Sequence, residues 1–243
     1  MRIPRDAYPL WKFCFVSLSL LRPLCGSLKV EGVENLPPQG GVVLASNHPG
    51  GLDSFVLGLC CPRQVFYMAK RELFNIHPFL TYLLHRIGAF PINRGARDAG
   101  AIEHSVELLK QGLVLGMFPE GTRNRGKPLR RGKTGAVRIA MDAGAPVVPV
   151  AIQGIPHLHK YLFNPFKRTK LSVQFGQPMW LPPGTMDDVQ ENTTAVMLEI
   201  ARMLPPELRG HYTEPPASSQ DPTPPDTRMP ESASKVAKNI PTG

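Results

Sequence analysis

A chain of 243 residues with 42% hydrophobic content can bury a sizeable core, which excludes a disordered protein and leaves one main globular domain as the expectation. The formal net charge of +9 favours anionic partners: phosphate esters, an acidic membrane surface or nucleic acid. Four cysteines, Cys14, Cys25, Cys60 and Cys61, lack zinc-ligand spacing, and the adjacent pair is no disulfide framework, so a reducing compartment is expected.

The chain begins with Arg2, Arg5, Trp11 and Lys12, followed by an uncharged run from Phe13 to Leu21 that Arg22-Pro23 closes. As a helix this run rises only about 14 Å, well short of a hydrocarbon core of roughly 30 Å. Residues 1–27 are therefore expected to lie in a membrane interface, held by snorkelling cations, rather than to span it. A secretory signal is the main rival, but no A-x-A-like cleavage site follows the run.

From Leu28 to Leu204 strand and helix patterns alternate. Apolar runs at 29–33, 41–45, 65–69, 89–92, 113–118, 147–152 and 171–175 read as strands. Asp98 is placed to cap a helix whose Ile102, Val106 and Leu109 recur at helical spacing up to Gly112. Further helices are expected over 78–87, 133–143 and 187–204, the last stopped by Pro205-Pro206. The apolar stripe of 78–87 admits three readings: core packing, the wall of an acyl-chain groove, or contact with lipid. This alternation implies an α/β fold with a mostly parallel central sheet flanked by helices, and a site at the carboxyl ends of its strands. The domain is expected to cover 28–212. Beyond it, 213–243 is rich in Pro, Ser and Thr and reads as a disordered tail of net charge −1, so the basic character belongs to the remainder.

The most informative stretch is Ser46-Asn47-His48-Pro49-Gly50-Gly51-Leu52-Asp53. It follows a buried-strand pattern, turns on Pro and two glycines, and brings Asp53 to the start of the next helix. On an unbroken helix five residues separate two side chains by about 140°, out of mutual reach. A tight turn instead folds the carboxylate back onto the imidazole, which orients the ring and stabilises its protonated form, the wiring of a general base. The bland reading of His48 alone is a helix cap. A second feature stands at 120–133, where Arg123, Arg125, Lys127, Arg130, Arg131 and Lys133 face Glu120 as the sole acid. Such a run is often only a solvated loop, but its place after an apolar strand favours a phosphate site.

Four blocks occur in order: Asn47 to Asp53, Gly88 to Gly95, Phe118-Pro119-Glu120-Gly121-Thr122-Arg123, and Val147 to Ala151. Together they resemble the glycerolipid acyltransferase family, over residues 28 to 180, and Met68 to Phe74 around Lys70 is similar to a further family segment. The resemblance implies the glycerol-3-phosphate acyltransferase-like fold and transfer of a fatty acyl group from acyl-CoA or acyl carrier protein to the sn-2 hydroxyl of 1-acylglycerol 3-phosphate. His48 would take the hydroxyl proton and Asp53 would orient it; such a base is worth on the order of 10² to 10⁴ in rate. Gly50 and Gly51 would offer backbone N–H groups to the oxyanion. Lys70, Arg94 and Arg123 would bind phosphate, Glu120 would hold a glycerol hydroxyl or lock Arg123, Gly121 would let the ligand approach, and Thr122 would bond a phosphate oxygen. Two positions depart from the family: Asn93 stands where an acidic residue is commoner, and Asn124 where Ser is.

No cofactor or metal is expected, since His157 and His159 alone are too few for a zinc site. The expected partners are a lysophospholipid, the acyl donor and a membrane surface, with the chain monotopic on the cytoplasmic face. Glycerol 3-phosphate or another lysolipid stands as the alternative acceptor. A nucleic-acid binder would interleave aromatics with the cations, and 120–133 contains none. An inactive peripheral lipid-binding module is the remaining alternative from another class.

Overall fold

The computed structural model describes residues 27–93, 98–155, 170–182 and 184–213, together with Pro9, Lys12, Phe13 and Val16. Most of the expected N-terminal interfacial helix, all of the tail from 214 onward, Arg94 and the His157/His159 pair lie outside the described residues. Among the described residues, no helix is long and apolar enough to cross a membrane.

Seven strands form one sheet: β1 (Ser27–Glu31), β2 (Val42–Ser46), β3 (Val65–Lys70), β4 (Ala89–Ile92), β5 (Val114–Met117), β6 (Val147–Gln153) and β7 (Lys170–Phe175). Their spatial order is β1-β7-β6-β2-β5-β3-β4. Every neighbouring pair is parallel except β6 with β7. The mostly parallel sheet flanked by helices is the architecture the alternating pattern implies. β1 starts two residues earlier than the apolar run suggested because Ser27 to Glu31 pair in register with Lys170 to Gln174.

The helices are α1 (Asp53–Cys60), α2 (Arg71–Phe74), α3 (Pro78–Arg86), α4 (Ala99–Lys110), α5 (Gly135–Ala143) and α6 (Met186–Arg202). α1 starts at Asp53, as the turn implies, and four more are where periodicity places them; α2 was not anticipated, since four residues carry too little period to read. Asp98 caps α4 by accepting from Ala101 N at 3.1 Å, as expected.

The sheet is buried on both faces, so its central strands are continuous apolar runs rather than alternating ones. Val43, Ala45, Leu115, Val147 and Ala151 face the side covered by α4, α5 and α6. Val42, Leu44, Val114, Val148 and Val150 face the side covered by α1. β2 lies between β5 and β6 and is wholly buried, so the turn at its carboxyl end stands on a strand held by core on both faces.

A candidate active site at the carboxyl end of β2

Asn47 fixes where the turn begins. Its side chain donates to Ile152 O at 2.9 Å and accepts from Ile152 N at 2.7 Å, so it takes the part of a strand residue against β6 after β2 itself has ended. His48 and Pro49 then leave the sheet, and the chain enters α1 at Asp53. The carboxylate does fold back: His48 Nδ1 and Asp53 Oδ2 are 2.5 Å apart, and Gly50 N donates to the same oxygen at 2.9 Å. Asp53 is fully buried, whereas the His48 ring keeps 14% of its surface open. Asp53 Oδ1 has no hydrogen-bond partner, so half of a buried carboxylate depends on the imidazole for compensation. Gly50 is steric necessity here, because a Cβ at that position would stand 2.4 Å from Ile155 Cγ2.

The ring is held from its face as well. His48 stacks on Phe118 with centroids 4.1 Å apart and planes 16° off parallel, and the Tyr67 ring lies nearly parallel to Phe118 with centroids 6.5 Å apart. Tyr67 Oη donates to Ser54 O at 2.9 Å, tying β3 to the first turn of α1 beside Asp53. Burial holds this phenol well above its ordinary ionisation range, so it stays a neutral donor. Gly116, its partner across the β3/β5 ladder, leaves the space its ring fills: a Cβ there would come within 2.3 Å of Tyr67 Cε1.

The loop after β5 closes on the backbone of His48. Glu120 Oε1 accepts from His48 N at 2.9 Å, while Asn124 N donates to His48 O at 2.8 Å. Asn124 Nδ2 donates to both Glu120 oxygens, at 3.0 and 3.2 Å, and Arg130 N donates to Oε2 at 3.1 Å. Both residues are buried. Expected beside a ligand hydroxyl or Arg123, the Glu120 carboxylate is instead turned inward onto three donors of the protein itself. A carboxylate surrounded by backbone N–H groups organises a loop, and here that loop grips His48 at both of its main-chain polar groups.

The same loop presents the cations outward. Arg123, Arg125, Lys127, Arg130, Arg131 and Lys133 are all exposed. The Arg123 guanidinium lies over Gly51, where a Cβ would meet its Cζ at 3.7 Å, so this charge stands next to the His48 turn. Gly121 has φ 68, a left-handed conformation that favours glycine, and Lys133 folds over it with Nζ 3.0 Å from a Cβ built there. Thr122 is exposed between them. The loop is braced from outside the sheet: Leu129 N donates to Leu208 O at 2.9 Å, Gly132 N to Tyr212 Oη at 3.0 Å, and Arg131 Nε to His211 Nε2 at 2.7 Å.

Lys70 is exposed at the carboxyl end of β3, in register with Ile92 at the end of β4. Asn93 occupies that corner as an acceptor, taking Arg71 Nε at 2.6 Å, while its own N–H donates to Asp98 at 2.8 Å. The structure thus brings His48, Asp53, Glu120, Gly121, Thr122 and Arg123 to one corner, places Lys70 on the same edge of the sheet, and does not describe Arg94. Sequence reasoning missed Asn47, Phe118 and Tyr67 as supports, and read Asn124 only as a departure. The signal available was adjacency to the two motifs. The expected oxyanion donors also need revision: the Gly50 N–H is engaged by Asp53, which leaves Gly51 of the two.

The acyltransferase family model matches residues 27–153. A 1-acyl-sn-glycerol-3-phosphate acyltransferase of Bacillus subtilis is 40% identical over 172 residues, covering 70% of this chain and 82% of that protein. One from Borreliella burgdorferi is 35% identical over 127 residues, about half of each protein. The crystal structure of the 1-acyl-sn-glycerophosphate acyltransferase PlsC from Thermotoga maritima superposes with a TM-score of 0.60 over 87% of this chain and 81% of that one, at 22% identity, and so shares the fold. With the matched segment running from β1 through β6 and containing the entire His48–Asp53 corner, the chain belongs to the acyltransferase family.

Proposed function

We propose that the chain transfers a fatty acyl group from acyl-CoA or acyl carrier protein to the sn-2 hydroxyl of 1-acylglycerol 3-phosphate, giving phosphatidic acid. The observation that carries this reading is the 2.5 Å pair of His48 Nδ1 with a buried Asp53, on a ring still partly open to solvent. Because Nδ1 faces the carboxylate, Nε2 is the nitrogen left to accept a proton from the acceptor hydroxyl. The hydroxyl oxygen attacks the thioester carbonyl as its proton passes to His48. The tetrahedral species then collapses, the C–S bond breaks, and the thiolate recovers that proton from the imidazolium. No acyl group is carried on the protein. Asp53, paired and desolvated, stabilises the imidazolium that exists between the two transfers.

Arg123 and Lys133 supply positive charge beside the base without touching it, which suits a phosphate one carbon away from the reacting hydroxyl. Lys70 is the further phosphate candidate on that edge, and Arg94 is proposed on its motif alone. The relatives' names support the lysophospholipid as acceptor.

The test is thiol release from acyl-CoA, and separately from acyl carrier protein, with 1-acylglycerol 3-phosphate or glycerol 3-phosphate as acceptor, run beside His48→Ala. Release that requires the lysophospholipid and is lost in the variant is expected. Release with glycerol 3-phosphate alone moves the reaction one step earlier, and silence with every pair from folded protein leaves a lipid-binding module.

A further inference from the structure

The segment that follows β3 turns its apolar side chains to solvent. In α2, α3 and the turn between them, Leu73 is 39% exposed, Ile76 65%, Phe79 68% and Tyr82 54%. Of the three readings open for 78–87, core packing does not fit Phe79, because α3 has no buried residue and leans on α2 and β4 with its other side, where Leu80, Leu83, Leu84 and Ile87 are half-buried. Nor are the exposed residues loose ends. His77 Nδ1 caps α3 by accepting from Phe79 N at 3.1 Å, Thr81 Oγ1 donates to Phe74 O and, at 3.2 Å, to His77 O, and Arg86 lies 5.0 Å above the Tyr82 ring. The hairpin is a pre-shaped tip, so its apolar surface is displayed without ordering cost at the moment of contact.

Charge selects what covers it. Residues 70–86 carry Lys70, Arg71 and Arg86 against Glu72, a formal net charge of +2. Phe79, Tyr82 and Arg86 recur at i, i+3 and i+7, so aromatic and cation share one helix face, the arrangement that suits the headgroup level of a bilayer. The tip also springs from the same carboxyl edge of the sheet as the base: β3 ends at Lys70 and lies beside β5, whose end carries Phe118 and the cationic loop. At the entrance to α1, Leu52 and Phe55 are likewise exposed, 42% and 54%.

We propose that the α2–α3 hairpin is a membrane-docking tip that inserts Ile76 and Phe79 into the interface of an anionic bilayer and sets the His48 corner at headgroup level. This deepens the acyltransferase reading and rests on it for the substrate: a lysophospholipid keeps its acyl chain in the bilayer, so its hydroxyl is offered only at the surface.

The experiment is vesicle flotation of the full chain, comparing wild type with Ile76→Ser/Phe79→Ser, on phosphatidylcholine vesicles with and without phosphatidylglycerol. Thiol release is measured in parallel on a short-chain lysophosphatidate dispersed as monomers. The double variant should lose partitioning onto the anionic vesicles by about tenfold or more, retain turnover of the monomeric acceptor, and keep the wild-type circular dichroism melt. Unchanged partitioning overturns the proposal and assigns membrane binding to other parts of the chain. A wild-type dimer that dissociates on substitution, with partitioning unaltered, also overturns it, since the patch is then a contact between two copies. If wild type floats and the variant does not, yet neither turns over any acceptor, the docking tip stands and the acyltransferase reading falls.

Discussion

Two halves of one sheet edge use their side chains in opposite ways. At the ends of β2 and β5, Asn47, Asp53, Glu120 and Asn124 are buried, and their polar atoms are directed at the backbone of Ile152, at the ring and backbone of His48, and at one another. At the ends of β3 and β4, the hairpin of α2 and α3 buries no residue outright. The first half maintains a geometry that must hold to fractions of an ångström, and the second offers surface. Rigidity and stickiness are built from different chemistry, polar satisfaction in one and unsatisfied apolar area in the other, and a single sheet carries both because its strands end at the same level.

Substitutions test how separate the halves are. The largest effect is expected for His48→Ala, which should lower kcat/KM by on the order of 10² to 10⁴ while the protein remains folded, measured by thiol release and circular dichroism. Glu120→Ala should come next and should act on both axes. It leaves the backbone N–H groups of His48 and Arg130 and the buried Asn124 amide without their acceptor, at about 1–3 kcal/mol of stability, and kcat should fall with Tm. A rise in KM with Tm unchanged would instead mark Glu120 as a ligand contact and erase the difference between the two halves. Arg123→Lys keeps the charge but loses the fork, so KM for the phosphate-bearing acceptor should rise by about tenfold with Tm unmoved.

The smallest effect lies away from both halves and serves as a yardstick. Thr185, whose side chain and backbone N–H both donate to Asp188, holds that carboxyl below its ordinary value of 3.8. A carboxyl whose folded value is depressed stabilises the protein above its unfolded value and loses that contribution as pH falls through the folded one. Asp188→Asn should therefore lower Tm slightly at neutral pH, and the gap to wild type should close below about pH 3.8, read by thermal melts across that range.

Much of the fold was legible because a parallel sheet buried on both faces writes its strands as apolar runs bounded by turns, and all seven stand out. The His48 turn was legible for a related reason: Pro, two glycines and an acid at a helix start restrict the path enough to predict the pairing. Glu120 was not. An acid following a strand and preceding Gly-Thr-Arg has the look of a ligand residue, and its partners stand at 48, 124 and 130, of which the first is 72 positions away. The exposure of Phe79 and Tyr82 was equally hidden, since an amphipathic period states that a helix has an apolar face but not whether anything lies against it.

The brace between the cationic loop and residues 208–212 has a consequence for synthesis. Leu208, His211 and Tyr212 support residues 129–132, so the loop that grips His48 lacks its outer support until residue 212 has left the ribosome. The strands that carry the base are made far earlier. A nascent chain therefore holds His48 in an unbraced corner until the last of these turns arrives.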